Sequence, residues 1–163
     1  MDKLNDFFDE CVEDEEIQYD QYLTFIVDNQ LYGIPISDVV QISGMQEITG
    51  VPEFPEYAKG VINLRGIIIP IVDIRLRLKK EEISDNGRKC IIIIKTDDLH
   101  LGFIVDSVSD VTNINSDDIS NPKIGSDHVN TYITGMAKLN NKIVLLMDLS
   151  KIVNEEELNL VKS

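Results

Sequence analysis

The segment YLTFIVDNQLYGIPISDVVQI, residues 22–42, has a pattern that a second segment repeats later in the chain. It aligns without a gap with IIIIKTDDLHLGFIVDSVSDV, residues 91–111. In the same way, GVINLRGIIIPIVDI at residues 60–74 aligns with GMAKLNNKIVLLMDL at residues 135–149. The two matches occur in the same order, with mostly apolar-for-apolar exchanges. The chain is therefore predicted to contain two copies of one strand-rich unit.

Each copy is predicted to consist of short β-strands joined by tight turns. Asp28-Asn29 separates two apolar runs in the first copy, and Arg65-Gly66 separates two more. Asparagine and glycine tolerate the positive φ of a hairpin tip, so both pairs are predicted to be turns. Arg65 has no counterpart arginine, because Asn140 stands at the aligned position. With about five short strands, each copy can close into a small barrel.

The predicted domain organisation is an acidic tail followed by two barrels. The first 20 residues hold nine acids and one lysine, and the tail is assigned to residues 1–18. The first barrel is assigned to residues 19–85 and the second to residues 86–163. Asn154 and Glu157 resemble a capping box, so a short C-terminal helix is predicted to end the second barrel. Apolar residues at helical spacing make the tail either a solvated extension or a docking helix.

Composition and charge exclude several classes of function. The chain has 163 residues, of which 43% are hydrophobic, enough to bury a real core. A net charge of −14 would repel nucleic-acid phosphates and anionic lipid surfaces, so neither is expected as a partner. No apolar run in the sequence approaches the roughly 20 residues of a membrane span, and the N-terminus lacks signal-peptide features. The chain is predicted to be cytoplasmic, without direct membrane insertion.

The sequence offers no set of residues for catalysis, for a metal or for a cofactor. The two histidines, His100 and His128, are predicted to lie at the surface rather than beside a nucleophile. Cys11 and Cys90 lack the spacing of a zinc site and are expected to be free thiols. No glycine-rich phosphate loop occurs in the sequence. We therefore expect no catalytic residue, no metal and no cofactor, and a protein partner instead.

Several short motifs resemble those of one protein family. GVINLRG at 60–66, followed by IPIVD at 69–73, is similar to the signature of the CheW family of bacterial chemotaxis coupling proteins. LYGI at 31–34, GFIVD at 102–106 and VSDV at 108–111 fit the same family in the same order. The resemblance implies an all-β fold with two SH3-like five-stranded β-barrels side by side. It also implies a non-enzymatic adaptor that couples methyl-accepting chemotaxis receptors to the histidine kinase CheA by binding the kinase's regulatory domain.

The same resemblance implies two sets of binding residues. The receptor-binding positions, in a groove between the barrels, are Leu23, Ile36, Val39, Val108 and Val111. The kinase-coupling positions are Arg65, Gln41 and Ile68. The family usually has an acid where Gln41 stands, and that acid can pair with the arginine. Gln41 can accept a hydrogen bond from Arg65 but cannot form the ion pair, so a less firmly oriented arginine is expected.

Two other functions also fit the sequence. One is a CheW-like module of another chemosensory array, or a part of CheA or CheV. The other is a small-ligand or enzymatic β-barrel, which would need a well-formed polar pocket with a strongly perturbed acid.

Overall fold

The structure, a computed structural model, describes residues 19–84, 86–96, 99–121 and 132–153. Within these ranges the chain is mostly β-structure, with eleven strands. The strands are β1 (Tyr19–Val27), β2 (Gln30–Pro35), β3 (Val39–Gly44), β4 (Ala58–Leu64), β5 (Ile67–Asp73), β6 (Cys90–Thr96), β7 (Leu99–Val105), β8 (Ser107–Asn115), β9 (Ile119–Ser120), β10 (Ile133–Leu139) and β11 (Lys142–Met147).

Short helical turns connect several of these strands. Helix α1 (Ile74–Arg77) follows β5, and 3-10 turns lie at Ile36–Asp38, Ser116–Asp118 and Leu149–Lys151. The predicted acidic tail at residues 1–18 and the predicted C-terminal helix after residue 153 lie outside the described residues.

Two-residue turns close three hairpins, as their sequences predict. Asp28 and Asn29, between β1 and β2, have φ of 52° and 64°. Asn140 and Asn141, between β10 and β11, have φ of 49° and 68°. Positive φ at both central residues is typical of a type I′ turn, which matches the twist of the flanking strands. Arg65, at the first central position between β4 and β5, has φ of 54°, so it lies at a hairpin tip.

The strands form two sheets, and each sheet combines strands from both copies of the repeat. The six-stranded sheet has the order β8-β1-β2-β11-β10-β9, and the five-stranded sheet has the order β3-β6-β7-β5-β4. Neighbouring strands are antiparallel except that β11 runs parallel to β2 and β5 runs parallel to β7.

The two copies of the repeat exchange a hairpin between the sheets. The β1–β2 hairpin of the first copy pairs with β8 and β11 of the second copy. In exchange, the β6–β7 hairpin of the second copy pairs with β3 and β5 of the first copy. The chain therefore crosses between the sheets after β2 and after β7. Local turn signals predict hairpins but do not specify such long-range partners.

The two copies are structurally equivalent despite this exchange. Replacing each strand by its aligned counterpart converts the order of the five-stranded sheet into β8-β1-β2-β11-β10, which is the six-stranded sheet without β9. The strand register shifts near Val40 in β3 and near the aligned Ser109 in β8. Asp73 and the aligned Asp148 each cap the helical turn that follows. The duplication predicted from the sequence is confirmed as a pseudo-two-fold relation.

Three apolar clusters form the core. The largest, called here the shared core, contains buried residues of both sheets, such as Phe25 of β1 and Phe103 of β7. A second cluster belongs to the five-stranded sheet and a third to the six-stranded sheet. In β6, Ile92 lies in the shared core, whereas Ile93 lies in the second cluster. The apolar run of β6 lacks alternation because both faces of this strand are covered within the molecule.

Candidate protein-binding surfaces

The five predicted receptor-binding residues come from both sheets. Leu23 lies in β1, while Val108 and Val111 lie in β8, an edge strand of the six-stranded sheet. Val39 begins β3, an edge strand of the five-stranded sheet, and Ile36 lies in the turn that joins β2 to β3. The two edge strands therefore supply most of the set.

Four of these residues belong to the shared core or pack against it. Leu23, only 1% exposed, is one of its buried members, and Ile36, Val39 and Val108 are half-buried against it. Val111 is 45% exposed and lies directly opposite Leu23 in the β1–β8 register. Directly opposite residues of antiparallel strands share a face of the sheet. Val111 therefore lies on the same face of the six-stranded sheet as the shared core, at a place where that face is exposed to solvent.

The start of β8 is fixed by contacts from the other sheet. The backbone of Val108 forms a hydrogen bond with the thiol of Cys90 in β6. Burial raises the pKa of this thiol, and the hydrogen bond from Val108 partly opposes that rise. Asp106, just before β8, forms a bidentate pair with Arg75 of α1, with Nε 2.8 Å from Oδ1 and Nη2 2.9 Å from Oδ2. Charge-assisted pairs of this geometry are among the stronger hydrogen bonds in proteins. The Arg75–Asp106 pair therefore holds the chain at the point where it passes from β7 into β8 of the six-stranded sheet.

Arg65, Ile67 and Ile68 are exposed at the β4–β5 hairpin and are together called here the tip surface, although the two isoleucines, as neighbours in β5, point to opposite faces of the sheet. Ile67 is 47% exposed and Ile68 is 52% exposed. The turn is held by a hydrogen bond of 2.9 Å from the Gly66 N–H to Asn63 Oδ1. The left-handed conformation of Arg65 costs an ordinary L-residue about 1–2 kcal/mol, whereas the aligned asparagine tolerates it more readily. A strained, exposed arginine beside two exposed isoleucines is typical of a binding surface.

Gln41 lies apart from Arg65 in the strand pairing. Gln41 is in β3 and Arg65 follows β4, and these two strands are the opposite edges of the five-stranded sheet. Gln41 is half-buried and lies opposite Ile93 of the second cluster. The hydrogen bonds and ion pairs within the described residues include none between Arg65 and Gln41. Gln41 therefore does not orient the guanidinium group in this structure.

Four exposed apolar residues of the described ranges were missed by the sequence prediction. They are Val40, Ile42, Ile67 and Ile143, which are 53%, 44%, 47% and 59% exposed. In the sequence they belong to apolar runs that also contain buried residues, so composition does not distinguish them. For Ile67 the sequence does contain a signal of exposure. This residue directly follows the predicted Arg65-Gly66 turn, and the tip of a hairpin can extend beyond the rest of its sheet.

An open cleft of about 490 Å³ lies between the β1–β2 and β10–β11 tips. Its lining consists of Ile26, Asn29, Gln30, Leu31, Ser109, Asn141, Lys142 and Ile143. None of these eight residues has a carboxylate.

The acids with a raised pKa lie elsewhere. Burial raises the pKa of Asp73, which is 1% exposed, and the nearby charge of Lys89 opposes the rise. The Oδ1 atom of Asp73 accepts a hydrogen bond of 2.9 Å from the Arg75 N–H, so the side chain acts as a helix cap. Burial also raises the pKa of Asp38, and the neighbouring charge of Asp148 adds to this rise.

Two negative findings apply to the described ranges alone. No group of three or more histidine, cysteine, aspartate or glutamate residues there could hold a metal ion. Over the same part of the chain, no helix has both the length and the apolar character needed to cross a membrane.

Comparisons with known proteins identify the family. The family model described as a CheW-like domain matches residues 21–157. The chemotaxis protein CheW of Klebsiella aerogenes is 32% identical over 142 residues, which cover 86% of this chain and 86% of that protein. The chemotaxis protein CheW of Bacillus subtilis is 31% identical over 138 residues, which cover 84% of this chain and 88% of that protein. The crystal structure of the scaffolding protein TtCheW from Thermoanaerobacter tengcongensis matches with a TM-score of 0.78 and 31% identity, over 86% of this chain and 97% of that chain. With the duplicated fold and these matches over most of its length, the chain belongs to the CheW family of chemotaxis scaffolding and coupling proteins.

Proposed function

We propose that the chain is a non-enzymatic cytoplasmic adaptor that couples methyl-accepting chemotaxis receptors to the histidine kinase CheA. The observation that carries this proposal is the presence of two exposed apolar surfaces on different sheets. One surface surrounds Val108 and Val111 at the edge of the six-stranded sheet, and the other is the tip surface of the five-stranded sheet. Separate surfaces allow one chain to hold two proteins at once, which is what an adaptor requires.

The receptor is proposed to bind along the β3 and β8 edges. Val39 and Val108 are aligned positions of the repeat, and both are half-buried against the shared core. Together with Ile36 and Val111, they present apolar side chains from both sheets, and Leu23 supports Val111 from within. A helix can lay an apolar stripe, with residues three and four apart, into a groove lined in this way.

The regulatory domain of CheA is proposed to bind the tip surface. Ile68 supplies apolar area on one face of the hairpin, and Ile67 supplies it on the other. Arg65 supplies a planar donor for carboxylate or carbonyl oxygens of the partner. No ion pair within the described residues involves Arg65, and Gln41 cannot supply one. The guanidinium group is therefore available to the kinase.

Each sheet is proposed to curl into an SH3-like barrel around its own cluster. In support, the loop after β3 returns to the edge strand β4, where Thr49 and Val61 exchange two backbone hydrogen bonds of 2.9 Å. At the aligned position of the six-stranded sheet, Ser120 of β9 pairs with Met136 of β10. The acidic tail, residues 1–18, is proposed to be an extension outside these barrels.

Replacing Arg65 by asparagine tests the kinase part of this proposal. Asparagine stands at the aligned tip as Asn140 and tolerates positive φ, so the variant should equal the wild type in stability or exceed it by up to about 1 kcal/mol. Because the guanidinium group is lost, we expect a loss of roughly tenfold or more in kinase activation. Phosphorylation of CheA in arrays reconstituted with receptor is the measurement, and thermal unfolding reports the stability.

The matched control is Asn140→Ala, which changes the equivalent hairpin tip of the other sheet. It should leave kinase activation within about twofold of the wild type. If arrays with Arg65→Asn phosphorylate normally, Arg65 is only a turn residue and the tip surface is not the kinase site.

A further inference from the structure

Ile42 is the aligned counterpart of Val111 in the duplicated chain. Val39 aligns with Val108, and Ile42, three residues farther on, aligns with Val111. The strands that carry them, β3 and β8, hold equivalent edge positions in their sheets. The pseudo-two-fold relation that exchanges Val39 with Val108 therefore also exchanges Ile42 with Val111.

The surroundings of Ile42 and Val111 match. Ile42 is 44% exposed and Val111 is 45% exposed. Ile42 lies directly opposite Ile92 of β6, and Val111 lies directly opposite Leu23 of β1. Ile92 and Leu23 are both buried in the shared core. Since opposite residues of antiparallel strands share a face, both exposed side chains stand on the face that carries the shared core.

We propose that Ile42 is a further receptor-binding residue and forms the rim of the groove opposite Val111. This inference rests on the proposed function of the same surface. Ile42 and Val111 each lie three residues beyond the aligned Val39 and Val108, so Ile42 stands on the β3 side of the groove where Val111 stands on the β8 side. A receptor helix whose apolar stripe contacts Val111 on one flank contacts Ile42 on the other.

The charges beside the groove indicate the kind of helix that fits. Asp38, in the turn before β3, is an exposed acid near the apolar residues of that edge, whereas Asp110 of β8 lies opposite Thr24 and so points to the other face of its sheet. A neutral or basic flank on the bound helix complements Asp38, whereas a strongly acidic segment is repelled. The chain's own N-terminal tail, with nine acids in the first 20 residues, is therefore a poor occupant.

The test compares Ile42→Asp with Val111→Asp in the full chain. A soluble receptor fragment that carries the helical tip is titrated with each variant by isothermal calorimetry. We expect each substitution to raise Kd by roughly tenfold or more, because the bound helix would cover an unpaired charge. Ile143→Asp is the matched control, since Ile143 is 59% exposed but lies at the start of β11. It should leave Kd within about twofold.

The outcomes separate this inference from the proposed function. If Val111→Asp weakens binding and Ile42→Asp does not, Ile42 is not a rim residue, while the proposed function stands. If the unmutated chain does not bind the fragment, the proposed function itself fails. If Ile42→Asp alters the sedimentation of the free chain instead of receptor binding, Ile42 contacts a second copy and the inference is overturned. Should Ile42→Asp not fold, Ile42→Ser replaces it, with an expected loss of about fivefold.

Discussion

Val39→Asp and Val108→Asp are each expected to weaken receptor binding by roughly a hundredfold. Both valines are half-buried against the shared core, at the edges where the receptor helix is proposed to pack. In the free chain, a half-exposed carboxylate can turn to the solvent. In the complex, the helix would cover it without a partner, and beside Val39 the exposed Asp38 adds like charge. Calorimetric titration with the receptor-tip fragment measures the effect.

Val108→Thr is the control for the charge, because threonine keeps the shape of valine and adds only a hydroxyl. It should weaken binding much less than Val108→Asp does. Circular dichroism and thermal unfolding establish whether the aspartate variants keep the fold. Unfolding of both aspartate variants would show that the two valines act only as core residues, and the assignment of the receptor groove would fail.

Gly60→Ala is expected to destabilise the five-stranded sheet by about 3 kcal/mol or more. Gly60 has φ of 142°, a conformation that residues with a side chain rarely adopt. A Cβ atom at this position would lie 2.1 Å from the backbone oxygen of Thr49. Thr49 cannot move away without losing its two hydrogen bonds to Val61. The temperature of unfolding should fall by roughly 10 °C in a calorimetric scan.

Gly66→Ala separates the effect of crowding from the effect of backbone conformation. Gly66 also has positive φ, at 87°, but no atom lies within 4 Å of a Cβ atom added there. We expect Gly66→Ala to cost about 1 kcal/mol, from conformational strain alone. Equal stability losses in the two variants would mean that the approach of Thr49 to Gly60 does not limit stability.

The hairpins could be predicted from the sequence because their turns carry a local chemical signal. Asn140 and Asn141, for example, favour the positive φ that a two-residue hairpin needs. The partners of these hairpins could not be predicted in the same way. Val144 of β11 pairs with Leu31 of the parallel strand β2. Many apolar residues could take either place, so the identities of these two residues do not specify the pairing. The exchange of hairpins between the sheets depends on such long-range pairing.

The burial of the proposed binding residues could be predicted only in part. The repeat and the family resemblance together indicated Val39 and Val108, and the structure brings both against the shared core. Exposure could not be predicted, because Ile67, Ile68 and Ile69 are adjacent isoleucines that are 47%, 52% and 1% exposed. The pairing of β5 with β7 begins only at residue 71, so all three isoleucines lack a β7 neighbour, and only Ile69 is buried in the second cluster. Three identical residues carry no compositional signal of which one the cluster covers.

Co-sedimentation of CheA with receptor-containing membranes, with and without this chain, tests most directly the claim that the chain couples the two proteins. We expect CheA to sediment with the receptor only when the chain is present, and the chain to appear in the same pellet. Val108→Asp should remove both the chain and the kinase from the pellet. The account would be contradicted if CheA sedimented equally well without the chain, or if the chain entered the pellet with receptor and brought no kinase with it.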